Sequence, residues 1–158
     1  MKKKLIRSTG LVLLALFFTG IANAQSKADG GGRLEGTWDA QVNITNCETG
    51  NVLNSFFSIA SFIAGGTSVG SSGGIPQSNR TPEHGVWRHE GGNVYSFRSK
   101  SLSFNQNVFS GWSIIEHEVI LNSTADAYTS SGTAKFFAAN GMQVGSGCST
   151  AVGTRFGF

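Results

Sequence analysis

Apolar and polar residues alternate with a period of two shortly after residue 34. Every second residue from Trp38 to Ile44 is apolar, and the positions between them are held by Asp39, Gln41 and Asn43. Successive side chains of a β-strand point to opposite faces, so the pattern predicts a strand with one apolar and one polar face.

Turn signals divide the remaining sequence into seven further predicted strands. Glycine and asparagine mark most of the turns, as at Gly50-Asn51, Gly92-Asn93 and Asn140-Gly141. The eight predicted strands cover about residues 34–46, 52–63, 67–71, 86–90, 94–104, 108–121, 126–138 and 142–156. Sequential antiparallel strands leave no exposed edge when they close, so we predict an all-β fold, a single eight-stranded antiparallel up-and-down barrel.

The longest predicted loop runs from Gly73 to Gly85 and contains both prolines of the chain. Because strand direction alternates, this loop lies at the end of the barrel opposite the start of the first strand, and it would overhang the mouth. The residues predicted to face inward are Trp38, Val42, Ile44, Phe56, Trp87, Tyr95, Phe97, Ile115, Val119, Ala134 and Phe136. The pattern leaves open whether they line a cavity or fill a core.

The N-terminal residues have the features of a signal peptide. Lys2, Lys3, Lys4 and Arg7 precede an apolar stretch at 11–21, and Ala22-Asn23-Ala24 forms a cleavage site. We therefore predict a signal peptide at 1–24, a flexible linker at 25–33 and a barrel domain at 34–158. Such a protein would be exported, to the periplasm or outside the cell.

Loss of the predicted leader removes four of the twelve Lys and Arg residues and none of the nine Asp and Glu residues. The mature chain would then carry eight cationic and nine anionic side chains, a net charge of −1. Scattered cations do not form the basic surface that phosphate backbones require, so we expect no nucleic-acid partner. The polar outer face of the first strand argues against stable membrane insertion, since a membrane barrel needs an apolar belt.

The only two cysteines, Cys47 and Cys148, are predicted to form a disulfide in an oxidising compartment. If they lay directly opposite each other on paired first and last strands, Trp38 would lie opposite Gly157 and close to Arg155. The two strands would then overlap along nearly their whole length, which supports closure of the barrel. Two distant thiols are not a zinc pattern, and we predict no metal and no cofactor.

The segment Gly36-Thr37-Trp38 resembles the Gly-x-Trp motif of lipocalins and the wider calycin superfamily. In that family the tryptophan packs at the closed end of the barrel beneath an arginine from the far end of the chain, and Arg155 corresponds to that arginine. The resemblance implies a lipocalin-like barrel in which Gly36, Trp38 and Arg155 are structural. The chain also resembles allene oxide cyclase-type barrels, which implies an isomerase or cyclase, and a group of exported bacterial barrels.

Candidate binding residues come from the predicted interior and the mouth loop. They are Trp87, Tyr95, Phe97, His117, Arg80 and His84. Arg80, Glu83 and His84 would engage a polar ligand group at the mouth, and an inward-facing His117 would be an internal polar handle or a general acid/base. The sequence contains no hydrolase or phosphate-loop motif, and we assign no catalytic residue.

Three functions remain open from the sequence. The first is non-catalytic binding of a small, mainly apolar or amphipathic molecule in the barrel. The second is an isomerase or cyclase that uses the same cavity, with His117, Tyr95 or Arg98 projecting inside. The third is a structural or interaction domain of the cell envelope, in which side chains fill the barrel.

Overall fold

The computed structural model describes residues 33–157 and contains one closed antiparallel barrel with strand order β1-β2-β3-β4-β5-β6-β7-β8. The strands are β1 (Gly36–Thr45), β2 (Val52–Ile63), β3 (Thr67–Ser72), β4 (Glu83–Gly91), β5 (Val94–Asn105), β6 (Val108–Leu121), β7 (Ala127–Ala138) and β8 (Gln143–Phe156). The predicted fold class is confirmed. The predicted signal peptide, nearly all of the predicted linker and Phe158 lie outside the described residues.

In the described part of the chain, no helix has both the length and the apolar character needed to cross a membrane.

Strand β4 begins three residues earlier than predicted. Its first residues pair with β3, with Glu83 opposite Gly70 and His84 opposite Val69. The mouth loop therefore comprises residues 73–82, with a 3₁₀ turn at Gln77–Asn79. Since side chains alternate along a strand, this early start directs Glu83 into the barrel and His84 out of it.

The closed end of the barrel is filled with buried apolar side chains. Trp38, Leu34, Tyr95 and Val119 have no measurable solvent exposure there. Trp38 meets Tyr128 edge to face, with ring centroids 5.1 Å apart. These rings form a floor that separates the barrel interior from solvent at this end.

Arg155 covers the floor from outside. Its guanidinium carbon lies 4.2 Å from the centroid of the Trp38 ring. Its three nitrogens donate to the backbone carbonyls of Arg33, Glu35 and Ala125 at 2.6 to 2.9 Å. Gly36, with φ of +123°, is needed beneath it, because a Cβ there would lie 2.6 Å from a guanidinium nitrogen.

We expect Arg155→Ala to lower the free energy of unfolding by about 2 kcal/mol, since it removes a cation–π contact and three hydrogen bonds. Urea unfolding checks this value. Arg88→Ala is the matched control, because the Arg88 side chain is 77% exposed and pairs with Glu90 on the surface. The Arg88 variant should stay within about 0.5 kcal/mol of the wild type. Equal stability of the two variants would contradict a structural role for Arg155.

The disulfide between Cys47 and Cys148 is confirmed, with Cα atoms 5.2 Å apart. The predicted register of the seam between β1 and β8 is wrong by two residues, because Trp38 pairs with Arg155 and not with Gly157. Cys47 lies beyond the end of β1, and it is Thr45 that pairs with Cys148. The disulfide therefore crosses the seam diagonally. A shift of two residues keeps every side chain on its predicted face.

Candidate functional site

The barrel encloses a cavity of about 340 Å³ above the closed-end floor. All eight strands contribute to its walls, and Gly74 and Ile75 of the mouth loop border it at the open end. The predicted inward residues that line it are Val42, Ile44, Phe56, Phe97, Ile115, Ala134 and Phe136. The other four, Trp38, Trp87, Tyr95 and Val119, belong to the buried core beneath. The interior is thus hollow above a packed floor.

Small side chains leave this space open. Serine accounts for a large share of the wall, at positions 58, 68, 72, 99, 103, 113, 130 and 149. Inward positions that carry serine or alanine cannot fill a barrel of this width. Sequence reasoning missed these residues, although Ser99, Ser101 and Ser103 recur with a period of two on β5 and so share its inner face.

An arginine and a glutamate form an ion pair inside the mouth. Arg80 Nη2 lies 2.5 Å from Glu83 Oε1, and the two side chains are only 11% and 16% exposed. The Arg80 Nε and Nη1 groups donate to the hydroxyls of Ser101 and Ser72 at 2.8 and 2.9 Å. The hydroxyl of Ser99 donates to Glu83 Oε2 at 2.8 Å. The pair is therefore held rigidly and brings no net charge to the cavity.

His117 lies deeper in the barrel, on the inner face of β6. Its Nδ1 and Nε2 atoms lie 3.0 and 2.8 Å from the hydroxyls of Ser130 and Ser149. Phe97 stacks on the imidazole with ring centroids 5.4 Å apart. Gly132 makes room for the ring, since a Cβ at that position would lie 2.5 Å from the His117 side chain and closer still to a backbone oxygen.

Burial lowers the pKa of His117 from 6.5 to about 4, so the imidazole is neutral at neutral pH. A neutral imidazole has one N–H donor and one acceptor nitrogen. One of its two serine partners therefore accepts a hydrogen bond from the ring, and the other donates one to it. Each serine hydroxyl has one donor hydrogen and two acceptor lone pairs and uses one of these on the imidazole, so the others can bond to a ligand.

The structure brings together three of the six predicted binding residues on the cavity wall, namely Arg80, Phe97 and His117. Trp87 and Tyr95 lie in the core beneath the cavity. His84 is exposed on the outer face of β4, because the early start of that strand turns it away from Arg80 and Glu83. Arg98 also lies outside, 3.1 Å from Glu116.

No protein-family model matches the sequence, and a search of curated proteins finds no match. Among solved structures, the chain is similar to the crystal structure of Rv2717c from M. tuberculosis, with a TM-score of 0.38 and 11% sequence identity. The similarity covers 79% of this chain and 94% of that one. A likeness at this level does not assign a function.

Proposed function

We propose that the barrel binds a small, mainly apolar molecule and catalyses no reaction. The observation that carries this proposal is the cavity of about 340 Å³ inside a closed barrel with a packed floor. Ligand sites in proteins are typically concave, mostly apolar and of roughly this size or larger. A purely structural barrel has less support, because such a barrel gains stability by filling its interior.

The cavity volume limits the size of the ligand. A space of about 340 Å³ is at the lower end of the range that small-molecule sites occupy, roughly 300 to 1,000 Å³. A small linear molecule with an apolar chain and one polar group suits a site of this size. Its apolar part would contact side chains such as Val42, Phe56, Ile115 and Phe136, all of which line the cavity.

The polar wall residues lie at two heights and would orient such a molecule. Arg80 and Glu83 lie near the mouth, where β4 begins. His117, which bonds to Ser130 and Ser149, lies deeper, as the tenth of the fourteen residues of β6. A few fixed polar groups in an apolar cavity set the direction in which a ligand enters and the position of its polar group.

An isomerase or cyclase is the second candidate, and the position of His117 on the cavity wall favours it. Both ring nitrogens are bonded to serine hydroxyls, so a proton exchanged with a ligand would pass through Ser130 or Ser149. A pKa of about 4 also makes the imidazole a weak base at neutral pH. The geometry therefore supports binding better than acid–base catalysis.

We expect Ala134→Trp to abolish binding of N-phenyl-1-naphthylamine, a neutral apolar dye that fluoresces strongly away from water. Ala134 lines the cavity, and an indole there would occupy much of the space. Ser131→Trp is the matched control on the same strand, because Ser131 is exposed on the outer face of β7. The control should bind the dye as the wild type does. A wild-type protein that leaves the dye dark would contradict the proposed binding function.

A further inference from the structure

We propose that the cavity selects ligands with a neutral oxygen-bearing group, such as an alcohol, ester or amide, against carboxylates, and that Glu83 determines this specificity. The inference rests on the proposed binding function and names its ligand class. It follows from the charges that face the cavity and from the hydrogen-bonding groups that accompany them.

The ionisable groups that line the cavity in the described part of the chain are Arg80, Glu83, His117 and Tyr128. Arg80 and Glu83 cancel each other as an ion pair. Burial lowers the pKa of His117 to about 4 and raises the pKa of Tyr128 to about 12, so both side chains are neutral at neutral pH. The cavity therefore has no net charge to compensate a charged ligand.

Arg80 alone would be a carboxylate receptor, but one of its terminal nitrogens already donates to the carboxylate of Glu83. Three of the five guanidinium hydrogens are directed to Ser101, Ser72 and Glu83. One hydrogen remains on each of the two terminal nitrogens, since each bears two and donates one of them to a described partner. These remaining hydrogens suit a carbonyl or hydroxyl oxygen, which accepts without adding charge.

A ligand carboxylate at the same position would lie beside the carboxylate of Glu83 in a partly desolvated cavity. Like charges brought together in this way disfavour binding. The hydroxyl of Ser99 gives its hydrogen to Glu83, so its oxygen can accept from a ligand hydroxyl but has no hydrogen to offer a carboxylate. Discrimination between an alcohol and the corresponding acid follows from the repulsion and not from shape.

The first test needs only the wild-type protein. Decan-1-ol and decanoate have the same chain length and differ in charge at neutral pH, and both can compete with bound N-phenyl-1-naphthylamine. We expect decan-1-ol to displace the dye at a concentration at least about tenfold lower than decanoate needs. A tenfold ratio corresponds to roughly 1.4 kcal/mol of discrimination. Equal competition, or stronger competition by decanoate, would overturn the inference.

The second test removes the carboxylate and keeps the shape of the side chain. In Glu83→Gln the amide can still accept from Arg80 and still bond to Ser99, but the positive charge of Arg80 is no longer cancelled. We expect the dissociation constant for decanoate to fall about tenfold, with that for decan-1-ol unchanged within about twofold. Glu118→Gln makes the same charge change on the exposed outer face of β6 and should alter neither constant.

The outcomes separate this inference from the proposed function. Failure of the wild type to bind the dye or either decyl compound would contradict the binding function itself. Dye binding by the wild type, combined with no gain for decanoate in Glu83→Gln, would overturn the role of Glu83 alone. Should Glu83→Gln fail to fold, the wild-type ratio of the two competitors still decides whether neutral ligands are selected.

Discussion

The double substitution Cys47→Ala and Cys148→Ala should lower the free energy of unfolding by about 4 kcal/mol. The disulfide joins residues separated by 101 positions and so restricts most of the described chain in the unfolded state. Loop-closure entropy predicts about 4.7 kcal/mol for a loop of roughly 100 residues, the largest value we expect for this change. Urea unfolding of the oxidised wild type and the double variant measures the difference.

Reduction of the wild type provides the matched control for that experiment. With the disulfide reduced, the wild type should unfold close to the double variant, and the reductant should leave the double variant itself unchanged. The disulfide lies at the seam between β1 and β8, the first and last strands of the barrel. Its loss therefore weakens the pairing of two strands that are far apart in the sequence. A difference below about 1 kcal/mol between oxidised wild type and double variant would contradict the loop-entropy account.

The sequence predicted the strands well because two local signals agree along most of the chain. Alternation identified the inner and outer faces, and glycine or asparagine marked the turns, so that β2 and β6 have their predicted bounds, Val52–Ile63 and Val108–Leu121. The start of β4 was missed because Glu83 follows Pro82 and is polar. Pairing with β3, which is a tertiary contact, extends this strand.

The register of the seam could not be obtained from the cysteines alone. Cys47 had to be placed either on a strand or in the turn after it, and strand ends are poorly defined by alternation. The structure places it after Thr45, so that the disulfide spans a diagonal. The two-residue error in register did not change which side chains of β1 face inward, so Trp38 lies beneath Arg155 as predicted.

The cavity was harder to predict than the barrel around it. A serine at an inward strand position looks the same in sequence as a serine on the solvent face, and only the closed structure shows that eight of them border one space. The pairing of Arg80 with Glu83 also depends on the fold, because an isolated bridge between Arg80 and Ser103 docks the mouth loop on β5. Phe97 and His117 were accessible to prediction because alternation alone places them inside.

The stability of the barrel should fall by about 3 kcal/mol as the pH drops from about 6.5 to about 4, through His117 alone. The pKa of this imidazole is 6.5 when exposed and about 4 when buried in the folded barrel. Between these values the unfolded chain binds a proton that the folded chain does not, so acid favours unfolding. The stabilisation is complete above pH 6.5 and is lost below about pH 4.

The side chains that bond to or stack on His117 are Ser130 on β7, Ser149 on β8 and Phe97 on β5, and none of them titrates. Glu116 points outward, to Arg98 and Lys135. No carboxylate or cation therefore contacts the imidazole among the described residues.

His117→Gln keeps an amide that can bond to both serines but removes the titrating imidazole. The stability of this variant should therefore lack the pH-dependent component that His117 contributes. His84→Gln is the matched control, because His84 lies on the exposed outer face, and this variant should retain the pH-dependent component of the wild type. Urea unfolding at a series of pH values between about 4 and 7 compares the three proteins, and parallel pH profiles for wild type and His117→Gln would show that the imidazole is not buried as described.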